Sequence, residues 1–148
     1  MISRQEGTSN IFADVSAARR RNMAAIRGKD TKPEMSVRRA IFGLGYRYRL
    51  HVSNLPGTPD IVFSRRRKII EIRGCFWHRH PACPLAARPR TRTKFWKAKF
   101  DATVWRDSHN LALLQKSGWA VLVIWECETR DPRLVRRLRT FLGSAFKK

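Results

Sequence analysis

Apolar and polar positions alternate along the chain in a pattern that predicts short strands set between helices. Thr31-Lys-Pro-Glu34 has the form of a capping box, with Thr31 as N-cap and Glu34 as its partner at the third helical position. The helix it opens places Val37, Ile41 and Leu44 on one face and stops near Gly43 or Gly45. Tyr46 to Leu50 then reads Tyr-Arg-Tyr-Arg-Leu, the alternation of a half-exposed strand. Asn54 to Thr58 turns the chain at Pro56-Gly57, and Pro59 to Phe63 starts a second strand with Asp60 at its mouth. A hairpin turn bearing four cations, Ser64 to Lys68, leads into a third strand ending at Ile72. From about Thr93 to Ser117 a long helix carries Phe100, Val104, Leu111 and Leu114 as an apolar stripe. Arg106, Asp107 and His109 fall largely off that stripe, and a solvated face is their bland account. Ala120 to Trp125 is an unbroken apolar run, which predicts a central strand. Asp131-Pro132 caps a last helix with Leu134, Leu138 and Phe141 along one face. The class is α/β, without internal repeats.

Residues 1–16 lack sustained periodicity and are expected to form a flexible arm, with residues 17–148 as one domain. Ala17 to Arg27 is expected to form a short helix carrying Arg19, Arg20, Arg21 and Arg27. Phosphate contact and simple solubility are both open readings of it.

Charge narrows the range of partners. The 148 residues include 32 Lys and Arg against 11 Asp and Glu, a formal charge of +21 and a pI near 11.6. A hydrophobic content of 43% still supplies a core, and a chain of this length buries roughly 70% of its unfolded surface. A folded domain of such charge points to a polyanion, nucleic acid first. A membrane surface is the competing partner, but no basic amphipathic helix with a free apolar face is evident. No stretch approaches the about 18 apolar residues of a membrane span, and no secretory signal is seen. Three cysteines, an odd number, suit a reduced intracellular protein whose thiols bind metal.

The chemistry concentrates between Ile69 and Cys83. The segment opens as an apolar strand, breaks at Gly74, and then gathers Cys75, Phe76, Trp77, His78, His80 and Cys83. Cys75, His80 and Cys83 are zinc-type donors at short spacing, and Cys127, just beyond the Ala120–Trp125 run, offers a fourth. A Cys₃His set of this kind is a closed structural zinc site; the bland account of Cys127 is a buried free thiol. Held on such a loop, Phe76 and Trp77 would stand clear of the core. Between Arg88 and Lys99 lie six cations and no acid, Arg90, Arg92 and Lys94 among them, interleaved with Phe95 and Trp96. That mixture suits phosphates and stacked bases, or the aromatics are simply core.

Asp60 has a bland account as turn chemistry after proline, and Glu34 as a helix cap. A sharper reading notes that Glu71 lies on the strand after Asp60, with Arg73 two residues on and on the same face. Carboxylates from neighbouring strands repel unless a divalent cation sits between them. Such oxygen sites suit Mg²⁺, which activates water and stabilises a phosphate oxyanion. Pro-Asp, a gap, then Glu-x-Lys is the pattern of a large nuclease fold, here with Arg in place of Lys.

Taken together, the words Arg-Asn-Met-Ala-Ala-Ile around Met23, Leu-Pro-Gly-Thr-Pro-Asp ending at Asp60, Gly-Cys-Phe-Trp-His at 74–78, Thr-Arg-Thr-Lys-Phe-Trp at 91–96, Arg-Asp at 106–107 and Val-Ile-Trp-Glu-Cys at 123–127 resemble the very-short-patch repair (Vsr) mismatch endonucleases. They run in family order over roughly residues 17 to 130. The resemblance implies a restriction-endonuclease-like mixed sheet flanked by helices, with a structural zinc. It implies an enzyme that nicks duplex DNA 5′ of the thymine in a T:G mismatch left by deaminated 5-methylcytosine, acting as a monomer in the bacterial cytoplasm. Asp60 would be the principal Mg²⁺ ligand, His78 the base towards water, Asp107 its support, and Glu34 a contact to metal-bound water. Cys75, His80, Cys83 and Cys127 take the zinc positions, and Phe76 with Trp77 form an aromatic wedge beside the mismatch.

Two departures stand out. Family members carry Thr-His where this chain has Ile72-Arg73, and an apolar residue where it has Glu71. A backbone carbonyl at Ile72 can still coordinate Mg²⁺, with Glu71 as a further candidate ligand and Arg73 as a charge stabiliser. One extra residue separates His80 from Cys83. Other readings of the same residues are a nuclease that does not require T:G, and a catalytically weak zinc-containing DNA-binding module. Mismatch-repair proteins are expected partners.

Overall fold

The computed structural model describes residues 30–144. The chain divides into two compact units, Met1–Thr31 and Lys32–Lys148, and every element below belongs to the second. The expected arm and the basic helix with Arg19, Arg20 and Arg21 lie outside the described residues.

In chain order the elements are α1 (Lys32–Gly43), β1 (Arg49–Leu50), β2 (Ile61–Phe63), β3 (Lys68–Arg73), α2 (Thr93–Lys116), β4 (Ala120–Trp125) and α3 (Leu134–Leu142). The strands form one mixed sheet in the order β1-β2-β3-β4. β1 with β2 and β2 with β3 are antiparallel, pairing Leu50 with Ile61 and Ile61 with Ile70. β4 runs parallel to β3, with Ile72 beside Ile124.

Alternation along the strands divides the core between two faces. Ile61, Phe63, Ile70 and Ile124 pack with Val37 and Ile41 of α1 and Leu134, Leu138 and Leu142 of α3. Val62 and Ile69 turn to the other face and meet Leu114 of α2 and Trp119. Fully buried Ile and Leu side chains of this kind contribute about 1.5–3 kcal/mol each.

β4 closes the described sheet at its edge and is not central. Its apolar run has another cause: Ile124 and Leu122 pack on the α1–α3 face while Val121 packs on the other. A strand covered on both sides reads as continuous apolar sequence even at an edge. β1 is also shorter than the Tyr46–Leu50 alternation predicts, because Tyr46 is buried in the α1–α3 core and Tyr48 reaches back to the Arg38 carbonyl.

The stripe of α2 differs from the expected one. Val104 is 43% exposed, whereas Trp96, Phe100 and Leu114 are buried and Asp107 is half-buried among them. At 24 residues the helix is about 36 Å long, against about 20 Å for a six-residue strand. Its middle therefore runs past the apolar part of the sheet and presents polar side chains inward. Asp131 does not close α3 as an N-cap side chain; it accepts from the Arg133 N–H, two residues on, and the helix begins after Arg133. No helix among the described residues is long and apolar enough to cross a membrane.

Candidate active site and metal centre

Asp60, Glu71, His51, His78 and the Cys₃His donors lie at one end of the sheet, where β2 begins and the parallel β3 and β4 both end. Asp60 arrives there through the Pro56–Pro59 turn. Gly57 has φ +77°, and a Cβ on it would stand 2.9 Å from Asn110 Nδ2 of α2, so glycine lets this turn lie against the helix. Extension of the Ile61–Ile70 pairing sets Asp60 across from Glu71, and Asp60 Oδ2 accepts from the Ile72 N–H at 2.9 Å. Burial pushes the Asp60 carboxyl up to about 6; the Ile72 hydrogen bond opposes this, and the Glu34 and Glu71 carboxylates add to it. Glu71 in turn pairs with Arg73 at 3.1 Å. Carboxylate and carbonyl oxygens at Asp60, Glu71 and Ile72 are hard donors, so their chemistry fits a Mg²⁺-type cation.

The raised value has a consequence for stability. Free Asp60 would ionise near 3.8, the folded protein's near 6. Between these values the unfolded chain loses a proton that the folded one keeps, so without metal the contribution of Asp60 to stability falls as pH rises and is fully adverse above about 6. Asp60→Asn removes that charge while its amide oxygen still accepts from Ile72. In zinc-loaded protein without Mg²⁺ at pH 7.5 the variant is expected to be more stable by about 1–3 kcal/mol, with the gain gone by pH 4. Urea melts at both pH values check this.

His78 sits on the loop after β3, held by a turn from its N–H to the Gly74 carbonyl. Its Nδ1 lies 2.6 Å from Asp107 Oδ2 of α2. A carboxylate at Nδ1 keeps the hydrogen there, leaving Nε2 as the nitrogen that can take a proton. Asp107 is half-buried here and does not lie on the solvated face that is its bland account.

Glu34 is 2% exposed. Its Oε2 lies 2.8 Å from His51 Nε2 and 3.4 Å from an Arg38 nitrogen. It is thus a buried, hydrogen-bonded carboxylate within electrostatic reach of Asp60. His51 was not among the residues singled out from sequence. Its place opposite Asp60 follows only from the strand register.

The sulfur and nitrogen donors of Cys75, His80, Cys83 and Cys127 lie within 4.8 Å of one another. His80 Nδ1 stands 3.6 Å from Cys75 Sγ and 3.4 Å from Cys127 Sγ. A tetrahedral ion with zinc-type bonds, about 2.3 Å to S and 2.0–2.1 Å to N, has S-to-N edges of about 3.5–3.6 Å. The donor set therefore fits such a metal. The His80 ring stacks on Trp125 at 4.3 Å and 12°, and Glu126 Oε1 accepts from the Cys75 N–H at 3.2 Å. Burial pushes the Cys75 thiol up to about 12, so metal capture here must release protons.

Phe76 and Trp77 do not stand clear of the core. Phe76 packs edge-on to Trp77, Trp96 and Phe100 at 5.0, 5.7 and 5.2 Å, and Trp77 leans on Trp96 at 5.9 Å. Arg79 fixes this loop by donating to the Phe76 and Ala86 carbonyls while lying 4.0 Å over the Phe100 ring. Trp96 is core, whereas Arg90, Arg92 and Lys94 are exposed at the start of α2.

A family model described as "DNA mismatch endonuclease Vsr" matches residues 12–84. The "Type II nicking enzyme V.XorIIP" of Xanthomonas oryzae pv. oryzae is 45% identical over 125 residues, covering 84% of this chain and 91% of that protein. The "DNA mismatch endonuclease Vsr" of Escherichia coli K12 is 40% identical over 139 residues, 88% of each chain. The "Type II nicking enzyme V.NmeAIP" of Neisseria meningitidis is 40% identical over 114 residues, 77% of this chain and 81% of that one. A chain this close to such enzymes is a DNA endonuclease, and its carboxylate-lined strand mouth lies at the same end of the sheet as the His78–Asp107 pair. The chain belongs to the Vsr family of DNA mismatch and nicking endonucleases.

Proposed function

We propose that the protein nicks duplex DNA 5′ of the thymine of a T:G mismatch by Mg²⁺-dependent phosphodiester hydrolysis. The observation that carries this reading is the 2.6 Å His78–Asp107 pair at the same end of the sheet as Asp60. Asp60 and the Ile72 carbonyl would hold Mg²⁺, with Glu71 as an added ligand. The bound ion supplies electrostatic stabilisation of the phosphorane charge and a more acidic water. His78 Nε2 would take the water's proton as the water oxygen bonds to phosphorus and the bond to the sugar oxygen on the far side breaks, that oxygen taking a proton from solvent as it leaves. Asp107 holds the resulting imidazolium. Arg73, pinned by Glu71, offers its remaining guanidinium donors to a phosphate oxygen.

Zinc in the Cys₃His site has a structural role: it holds the loop that carries His78. The endonuclease activity is assigned to residues 17–148. The protein works as a monomer on cytoplasmic DNA, with mismatch-repair proteins as further partners. Arg90, Arg92 and Lys94, together with Arg19, Arg20 and Arg21, would grip phosphates and supply affinity without choosing sequence.

Mismatch preference is assigned to Phe76 and Trp77. Unstacking a base step costs a few kcal/mol and least where pairing is defective, while an inserted aromatic returns about 1–3 kcal/mol per base. Trp77 must give up its contact with Trp96 to enter the duplex, which a fully paired step does not repay. Trp77→Ala is expected to lower the T:G-over-paired binding ratio by roughly tenfold and paired-duplex affinity by less than twofold. Fluorescence anisotropy on the two duplexes checks this; equal losses on both would remove the wedge.

The T:G reading is tested by mapping the nick on an end-labelled T:G duplex. Cleavage immediately 5′ of the thymine is expected. Cleavage at a fixed sequence whether or not it is mismatched would favour a second reading, a site-specific nickase, which the relatives named as nicking enzymes also fit.

A further inference from the structure

We infer that His51 is a positioning residue of the nuclease site, coupling the buried Glu34 of α1 to Asp60 and thereby setting how tightly the site holds its divalent cation. The inference rests on the reading that Asp60 and Glu34 serve that cation and its waters. Three observations carry it.

The His51 N–H donates to the Asp60 carbonyl at 3.0 Å, so His51 is the residue directly across from Asp60, one step beyond the Leu50–Ile61 pair. Its ring Nε2 lies 2.8 Å from Glu34 Oε2, a shorter contact than the 3.4 Å to Arg38. One residue thus holds the backbone of the first carboxylate and the side chain of the second. Because a buried carboxylate needs donors, the 2.8 Å contact from His51 helps to aim the Glu34 head group.

The third observation is the backbone. His51 has φ +46°, a left-handed conformation that L residues other than Asn, Asp and His seldom adopt. Here the left-handed residue interrupts the extended run of β1 at the position where its side chain reaches Glu34. Val52, the next residue, is back in register and donates to the Pro59 carbonyl.

Partners that aim metal-binding carboxylates change metal affinity by about 10–100-fold when removed. His51→Asn tests this cleanly, since Asn tolerates the left-handed backbone but is too short to span to Glu34. His51→Gln keeps an N–H donor at nearly the reach of Nε2. The probe is Mn²⁺, added to zinc-loaded full-length protein, with free Mn²⁺ read by electron paramagnetic resonance. Nicking of a T:G duplex against Mg²⁺ concentration is followed in parallel.

His51→Asn is expected to weaken Mn²⁺ binding by about tenfold or more and to raise the Mg²⁺ needed for half-maximal nicking by a similar factor, with DNA affinity unchanged. His51→Gln should return both to within about threefold of wild type. Wild-type Mn²⁺ affinity in a folded His51→Asn protein would overturn the inference, as would a His51→Gln variant as weak as His51→Asn. Should His51→Asn not fold, a tenfold loss in His51→Gln alone would overturn it, and retention supports it. A wild-type protein that neither binds Mn²⁺ nor nicks with Mg²⁺ would instead bring down the underlying reading of Asp60.

Discussion

Asp60→Ala is expected to reduce Mg²⁺-dependent nicking by roughly 10³-fold or more, with duplex affinity within a few-fold of wild type. Metal-ion stabilisation of a phosphoryl transition state is worth several kcal/mol, and each 1.36 kcal/mol is tenfold in rate. Asp60 is placed to carry that whole effect. It sits at the strand mouth across from Glu71, its burial raises its proton affinity, and cation binding there would relieve both the desolvation and the repulsion from Glu34 and Glu71. Alanine removes the ligand, so raising Mg²⁺ should recover little of the rate. Phosphate contacts elsewhere are untouched, which is why binding survives. Single-turnover rates with saturating enzyme separate the two. A variant that cuts within tenfold of wild type would move the principal ligand from Asp60 to Glu71.

Loss of the Cys₃His metal is the other large effect. Structural zinc contributes about 10–16 kcal/mol in zinc-finger peptides, as much as the about 5–15 kcal/mol that separates a typical folded domain from its unfolded chain. In this protein the four donors join the loop after β3 to the end of β4. Cys75 is fully buried, and His78 lies between the donors Cys75 and His80. Chelation or Cys127→Ser should therefore release the loop, separate His78 from Asp107 and abolish nicking. It should also make residues 74–92 sensitive to protease. Metal analysis should find one zinc per chain in wild type. A Cys127→Ser protein that is folded, protease-resistant and active would contradict the structural role.

The helices, the β2–β3 hairpin and the zinc-type quartet were legible in the sequence for distinct physical reasons. Apolar periodicity reports which face of an element is covered, and it located α1, α3 and the β2–β3 pair. Cys75, His80, Cys83 and Cys127 announced themselves by donor chemistry, because few other uses gather such residues at that spacing. Periodicity failed where a helix covers polar groups. The middle of α2 was assigned to Val104 when the inward residue there is Asp107, held by His78. It misplaced β4 for a related reason, since an apolar run reports two covered faces and not a central place in the sheet.

Phe76 and Trp77 were expected clear of the core because their loop carries metal-type donors, yet Trp96 and Phe100 of α2 give them an apolar seat. His51 was the least visible of all. A lone histidine after a strand carries no signal until the register with β2 sets it opposite Asp60 and the α1 packing brings Glu34 to its ring.

The activity proposed for this site is the cutting of one strand of mismatched DNA. The most direct measurement is the single-turnover nicking rate on a T:G duplex and on its fully paired counterpart, each with Mg²⁺ and with chelator. A nick is expected on the T:G duplex only with Mg²⁺, at least about tenfold faster than on paired DNA, as one wedge contact of about 1–3 kcal/mol would give. Tight binding of both duplexes without any cut would contradict this and leave the Ile72-Arg73 departure as the cause of a chemically silent DNA binder.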